Sequence, residues 1–139
     1  MSFLLDTNVV SELRKKGGTN TGVTRWIASV NEEDLFLSVL VVGELHQGTE
    51  RLRRRDPVAA RKLDRWLTAL TESYAERILE VDLEIATLWG RLNVPDPLPA
   101  VDGMLAATAI VHNFTLVTRN TSDVRRTGVR LVNPFEKGQ

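Results

Sequence analysis

A three-layer α/β sandwich, in which a mostly parallel sheet of about five strands is covered by helices, follows from two features of the 139-residue sequence. Short, almost wholly apolar runs recur along the chain, as expected of strands buried on both faces. Between them lie longer stretches with apolar residues at helical spacing, so strand and helix alternate as a parallel sheet requires. The length suits a single domain spanning residues 1–139, and 42% hydrophobic with 26% charged residues is an ordinary globular composition.

The first strand is predicted at Ser2 to Leu5, closed by Asp6. Asp6-Thr7-Asn8 leads into a helical pattern, Val9 to Arg14, that stops before Gly17-Gly18. A second helix over Thr21 to Val30 carries Val23, Trp26, Ile27 and Val30, and Leu35 to Ser38 reads as the second strand. From Val39 to Arg54 the stripe Val41, Leu45, Gly48, Leu52 marks a helix whose Glu44 projects about 60° from the apolar line, at the border of the core.

Asp56-Pro57 is an N-cap followed by proline at the first helical position, and it opens a helix to Tyr74 that pairs with the preceding one as a hairpin. Ile78 to Val81 is the third strand, and Asp82 caps a helix through Ile85, Leu88 and Leu92. The prolines of Val94 to Pro99 then make a rigid loop. Pro99 starts a helix to Asn113 in which Asp102 shares a face with Ala106 and Ala109. Thr115 to Thr118 and Val129 to Val132 are the last two strands, joined by a loop or short helix. Trp26, Trp66 and Trp89 fall on helical stripes as core candidates.

Composition excludes several functions. With no cysteines there are no disulfides, zinc–thiolate sites or thiol nucleophiles, and the cytoplasm suits such a chain. No apolar stretch approaches the roughly 20 residues of a membrane span, and Met1-Ser2-Phe3 has no basic export segment, so an unexported protein without a membrane partner is expected. Zero net charge argues against indiscriminate coating of polyanions. Charge is nevertheless clustered, at Arg14-Lys15-Lys16, at Arg51 with Arg53 to Arg55, and at Arg119, Arg125, Arg126 and Arg130. Each cluster is either a solvated surface or a phosphate or partner contact.

Three acids stand where acids are expensive. Asp6 ends an apolar strand, Glu44 borders an apolar helix face, and Asp102 interrupts Pro99-Ala100-Val101 and Gly103-Met104-Leu105. An ionised carboxylate in low dielectric costs several kcal/mol unless charge or hydrogen bonds compensate it. Each acid alone has a bland explanation: Asp6 as an N-cap, Glu44 as a helix-surface glutamate, Asp102 as a partner of the helix dipole. Together they form the oxygen-rich, nitrogen-poor set that Mg²⁺ or Mn²⁺ prefers, and such a site favours phosphoryl chemistry. His46 and His112 lie off these acids, no serine sits in a nucleophile elbow and no Gly-rich phosphate loop is present. A fourth acid is expected after Thr118, where Asn120 is uncharged and Asp123 lies farther from the strand end.

The runs Leu4-Leu5-Asp6-Thr7-Asn8-Val9-Val10-Ser11-Glu12, Ser38-Val39 with Gly43-Glu44-Leu45, Val101-Asp102-Gly103-Met104-Leu105-Ala106 and Leu116-Val117-Thr118-Arg119-Asn120 occur in the order found in PIN-domain proteins. Nearly the whole chain resembles VapC-like toxins of the FitB type. The resemblance implies a PIN-like fold and a Mg²⁺- or Mn²⁺-dependent endoribonuclease. It further implies a type II toxin, often homodimeric, held inactive by a VapB-like antitoxin whose C-terminal segment covers the acidic pocket. It puts Asp6, Glu44 and Asp102 on the family's metal-binding acids, and Thr7, Asn8 and Thr118 on polar positions that support them. Asn120 stands where relatives often carry Asp, so either Asp123 substitutes or the fourth charge is absent. Arg51, Arg53, Arg54 and Arg119 are then candidates for contact with the RNA backbone. Two other classes compete: a non-catalytic PIN-fold module that binds RNA or a partner, and a receiver-like phosphoacceptor domain. The latter lacks an aspartate ending the third strand and a lysine ending the fourth.

Overall fold

The computed structural model describes residues 1–15 and 19–135. Five parallel strands, β1 (Phe3–Leu5), β2 (Leu35–Ser38), β3 (Ile78–Leu79), β4 (Thr115–Val117) and β5 (Leu131–Val132), form one sheet in the order β3-β2-β1-β4-β5. Among the described residues the helices are α1 (Thr7–Leu13), α2 (Thr21–Ala28), α3 (Val39–Arg53), α4 (Pro57–Ser73), α5 (Leu83–Leu92), α6 (Ala100–His112) and α7 (Thr121–Val124). The architecture is the helix-covered parallel sheet expected. Its strand order differs from the 2-1-3-4-5 order of receiver-like domains, which removes that alternative.

The apolar strands are buried as their composition requires. Leu4, Leu5, Leu37, Leu116 and Val117 are almost or wholly inaccessible, and full burial of each such side chain contributes about 1.5–3 kcal/mol. Phe3 stands opposite Leu35 on one side and Thr115 on the other, which fixes the register of the central three strands. α3 and α4 form the expected hairpin, fastened by Arg53 to Asp64 at 2.8 Å. α6 ends at Asn113, whose left-handed backbone (φ 59°) turns the next amide, that of Phe114, back onto the carbonyl of Ala109 at 2.8 Å.

The departures from expectation lie at element ends. β3 stops at Leu79 instead of Val81 because its partner among the described residues, β2, ends at Ser38, where the serine hydroxyl turns to cap α3. β5 likewise forms only from Leu131, although Val129 is already buried in the core. α2 ends at Ala28 instead of Val30, since the Ser29 hydroxyl and amide both turn back onto the Trp26 carbonyl. The predicted helix stop at Gly17-Gly18, and Lys16 of the first basic cluster, lie outside the described residues. The three tryptophans are half-buried and not central, with Trp26 edge-on against Phe3 at 5.0 Å. No described helix is long and apolar enough to cross a membrane.

Candidate active site

In an open parallel sheet the strand order reverses at one place, and the crevice beyond the carboxyl ends there is the natural ligand site. Here that place lies between β1 and β4. Asp6 follows β1 directly and Thr118 follows β4, while the Asp6 amide donates to the Val117 carbonyl at 3.0 Å. Topology alone thus carries both residues to the same edge.

Asp6 is only 5% exposed and its carboxylate accepts three hydrogen bonds. Oδ1 takes the Thr7 amide at 2.7 Å, so the N-cap role is real. Oδ2 takes the Thr118 hydroxyl at 2.7 Å and the Asn8 amide group at 3.3 Å. The Thr118 hydroxyl accepts in turn from the Asn120 amide at 3.0 Å, and the Asn8 side-chain oxygen accepts from the Arg119 amide at 3.3 Å. The α1 start and the segment after β4 are therefore laced together around one carboxylate. Thr7 also faces the other way, donating its hydroxyl to Glu44 Oε1.

Asp6, Glu44 and Asp102 line a single cavity of about 330 Å³, together with Thr7, Asn8, Gln47, Arg51 and Asn120. β1 supplies the first acid, α3 the second and the first turn of α6 the third. Burial, followed by the charges of Asp6, Asp123 and Glu44, pushes the Asp102 carboxyl up to about 6. Among the described residues Asp6, Glu44 and Asp102 form no ion pair, and Asp102 accepts no side-chain hydrogen bond. Three oxygen donors are thus gathered on one cavity, with hydrogen bonds on Asp6 and Glu44 and none on Asp102 among the described residues. Such a donor set fits a hard divalent cation, with Asp6, Glu44 and Asp102 as the residues that would hold it. As they stand, no three acid or imidazole groups among the described residues are already drawn into a coordinating cluster. Asp6 is tied to its three donors and Glu44 to Thr7, while Asp102 has no donor among the described residues.

Asn120 lines the cavity wall, whereas Asp123 is exposed in α7 and bears on Asp102 through its charge. Among the arginines, Arg51 enters the cavity. The Arg53 guanidinium is engaged elsewhere, binding Asp64 on α4 and Glu50, both at 2.8–2.9 Å, and so serves the α3–α4 hairpin. Arg54 is exposed, and Arg119 lies over the Phe135 ring at 3.9 Å. His46 is exposed and His112 packs beside Phe114, both apart from the acids.

Sequence reasoning missed two polar residues. Gln47 reaches the cavity because it lies one turn beyond Glu44 and one before Arg51, a spacing legible once Glu44 is chosen. Glu12 is a fourth costly acid, 8% exposed, that accepts from the Asn20 amide at 2.9 Å and from Lys15 at 2.8 Å. The Lys15 hydrogen bond outweighs burial and lowers its pKa. It fastens α1 to the start of α2 and takes no part in the cavity.

Residues 3–129 match the PIN domain family. The chain is 34% identical to a VapC ribonuclease, Y4jK, of Sinorhizobium fredii, and 34% identical to Toxin FitB of Neisseria gonorrhoeae, in each case over 96% of this chain and 98% of the relative. Among solved structures it is similar to a chain in the crystal structure of FitAcB from Neisseria gonorrhoeae, with a TM-score of 0.86 at 32% identity, covering 95% of this chain and 97% of that one.

Proposed function

The chain belongs to the PIN-domain family, and we propose that it is the toxin of a type II toxin–antitoxin pair, an endoribonuclease that requires Mg²⁺ or Mn²⁺. What supports this reading is the convergence of Asp6, Glu44 and Asp102 on one cavity at the switch point of the sheet. A bound divalent cation would neutralise charge on a phosphate oxygen and make a water a better nucleophile.

The side chains divide the remaining work. Asp6 and Asp102 are the principal ligands, and Glu44, oriented by Thr7, is a ligand or holds the attacking water. Thr118 and Asn8 keep Asp6 from rotating, which removes reorganisation from the reaction. Asn120 completes the wall through a neutral amide, while Asp123 supplies the outer negative charge. Arg51 is suited to a phosphate of the RNA strand. Attack by water with the 3′-oxygen leaving gives 5′-phosphate and 3′-hydroxyl ends. An RNA substrate puts the site of action in the cytoplasm.

Inhibition by a VapB-like antitoxin would use a second groove, which shares Thr7 and Glu44 with the acid cavity. Its floor is apolar, with Leu45, Leu52 and Leu67, and Arg14 and Arg55 stand at its rim. An antitoxin segment lying there would bring its own arginine to the acids, in the cation's place electrostatically. Self-association would use the α5–α6 face, where Leu83 is 84% exposed and Ile110 lies beside it. Glu84 and Arg91 flank that face seven residues apart on α5, so an antiparallel second copy sets each opposite its complement.

The test is cleavage of single-stranded RNA by the antitoxin-free protein, with and without Mn²⁺. Metal-dependent cleavage that Asp102→Asn abolishes supports the reading. Cleavage that persists at the wild-type rate in that variant refutes it. Asn120, in place of a fourth acid, favours a second reading, a PIN-fold module that binds without cutting; that protein would bind RNA equally with or without Mn²⁺ and leave it intact.

A further inference from the structure

We infer that Arg126 is a positioning residue for the acidic site, a clamp between the loop in front of Asp102 and the segment that carries Asn120 and Asp123. α6 starts without a side-chain cap, so the place of Asp102 in its first turn is inherited from the preceding loop. That loop is closed on itself where the Leu98 amide donates to the Asn93 side chain at 2.8 Å. Leu98 is then buried against α6 so closely that a Cβ on Gly103 would meet Leu98 and Trp89 atoms at 3.2 Å. Residue 103 must stay small for the residue before it to stand where it does.

The other contact on this loop comes from across the site. Arg126 donates from Nη1 to the Leu92 carbonyl at 3.1 Å and from Nη2 to the Asp96 carbonyl, grasping the end of α5 and the middle of the loop. Arg126 belongs to a 3₁₀ turn, Arg125–Thr127, that continues directly from α7. α7 is in turn anchored by buried Val124 and by the Asn120–Thr118 hydrogen bond that leads to Asp6. One guanidinium therefore joins the wall that bears Asp102 to the wall that bears Asn120 and Asp123. Asp102 on one wall and Asp123 on the other are like charges that bear on each other, so a rigid tie between the walls fixes the separation of these acids. The planar fork of arginine serves two separate carbonyls at once in a fixed geometry, whereas a lysine ammonium on its flexible stem is not preorganised to hold them apart.

The effect on the backbone stands by itself, while the effect on chemistry rests on the nuclease reading above. The experiment compares wild type, Arg126→Ala, Arg126→Lys and the remote surface change Arg65→Ala. Amide hydrogen exchange is followed by mass spectrometry, with Mn²⁺ titration and steady-state RNA cleavage alongside. In Arg126→Ala and Arg126→Lys, exchange is expected to rise together in residues 93–104 and 119–124, and Mn²⁺ to bind several-fold more weakly. The kcat is expected to fall by about tenfold or more with KM for RNA within about twofold, as a displaced but intact site requires. Arg65→Ala leaves all of these unchanged. Unchanged exchange in both Arg126 variants overturns the clamp, as does full rescue by Lys with a raised KM in Ala, which would make Arg126 a phosphate contact. If wild-type RNA cleavage proves metal-independent, the nuclease reading falls, and the exchange data still decide for or against the clamp.

Discussion

Asp6 and Asp102 face the same cavity from opposite kinds of support. Asp6 stands at the end of β1, a fully buried central strand, with three hydrogen-bond donors on its carboxylate. Asp102 stands in an uncapped first turn of α6, without a donor among the described residues, and is pushed up to about 6 by burial and by its acidic neighbours. The fold has settled one carboxylate completely and left the other to be settled by whatever positive charge arrives. An acid of the first kind is built into the stability of the protein; an acid of the second kind stores a cost that ligand binding can relieve.

The contrast is sharpest in paired substitutions. Asp102→Asn is expected to lower RNA cleavage by about 10³-fold, or ~4 kcal/mol of transition-state stabilisation, while the metal-free protein becomes more stable at neutral pH. Asp6→Ala is expected to lose cleavage comparably and also to lose about 1–3 kcal/mol of stability, because the buried Thr118 hydroxyl and the Thr7 amide lose their acceptor. Cleavage assays with urea melts separate the two, and equal stability changes of the same sign would erase the distinction. Thr118→Val removes the donor and leaves the acid. A stability loss of about 1–3 kcal/mol is expected, because the buried carboxylate oxygen keeps only Asn8 as a donor and the Asn120 amide loses its acceptor, with a several-fold fall in kcat.

The pH dependence follows the same division. Asp102 holds its proton more tightly in the folded chain than at its ordinary value of 3.8, so its contribution to stability is greatest below that value and is lost as pH rises through about 6. After allowance for solvent screening of a half-buried group, the loss is about 1–2 kcal/mol. Melts of the metal-free protein between pH 4 and pH 8 should show it. Asp102→Asn should flatten that component, and Mn²⁺ should restore the lost stability above pH 6. A profile identical in the two proteins would mean that the acids do not crowd. The smallest effects concern the arginines of α3. Arg51→Ala should weaken RNA binding and reduce the salt slope by about one, whereas Arg53→Ala should leave that slope alone and loosen the α3–α4 hairpin.

Much of this was legible in the sequence because burial leaves a strong signature. Apolar runs such as Phe3-Leu4-Leu5 marked the strands, and Asp56-Pro57 and Asp82 marked helix starts to the residue. The acids Asp6, Glu44 and Asp102 stood out for the same reason, since each interrupts or borders an apolar run. Strand ends were less legible, since β3 ends where its neighbour Ser38 turns away to cap a helix, a tertiary fact. Arginine roles were the least legible. Arg53 binds Asp64 eleven residues on, Arg126 binds carbonyls thirty and more residues back, and nothing local in Arg51-Leu52-Arg53-Arg54 separates the residue that enters the cavity from the one that ties a hairpin.

Anomalous scattering from a crystal soaked in Mn²⁺ decides whether the three carboxylates form one centre. A peak bounded by Asp6, Glu44 and Asp102, lost in Asp102→Asn, is the expected result. A peak elsewhere on the molecule, or none at saturating Mn²⁺, would contradict a shared cation and leave Asp102 as an acid whose burial has some other cause.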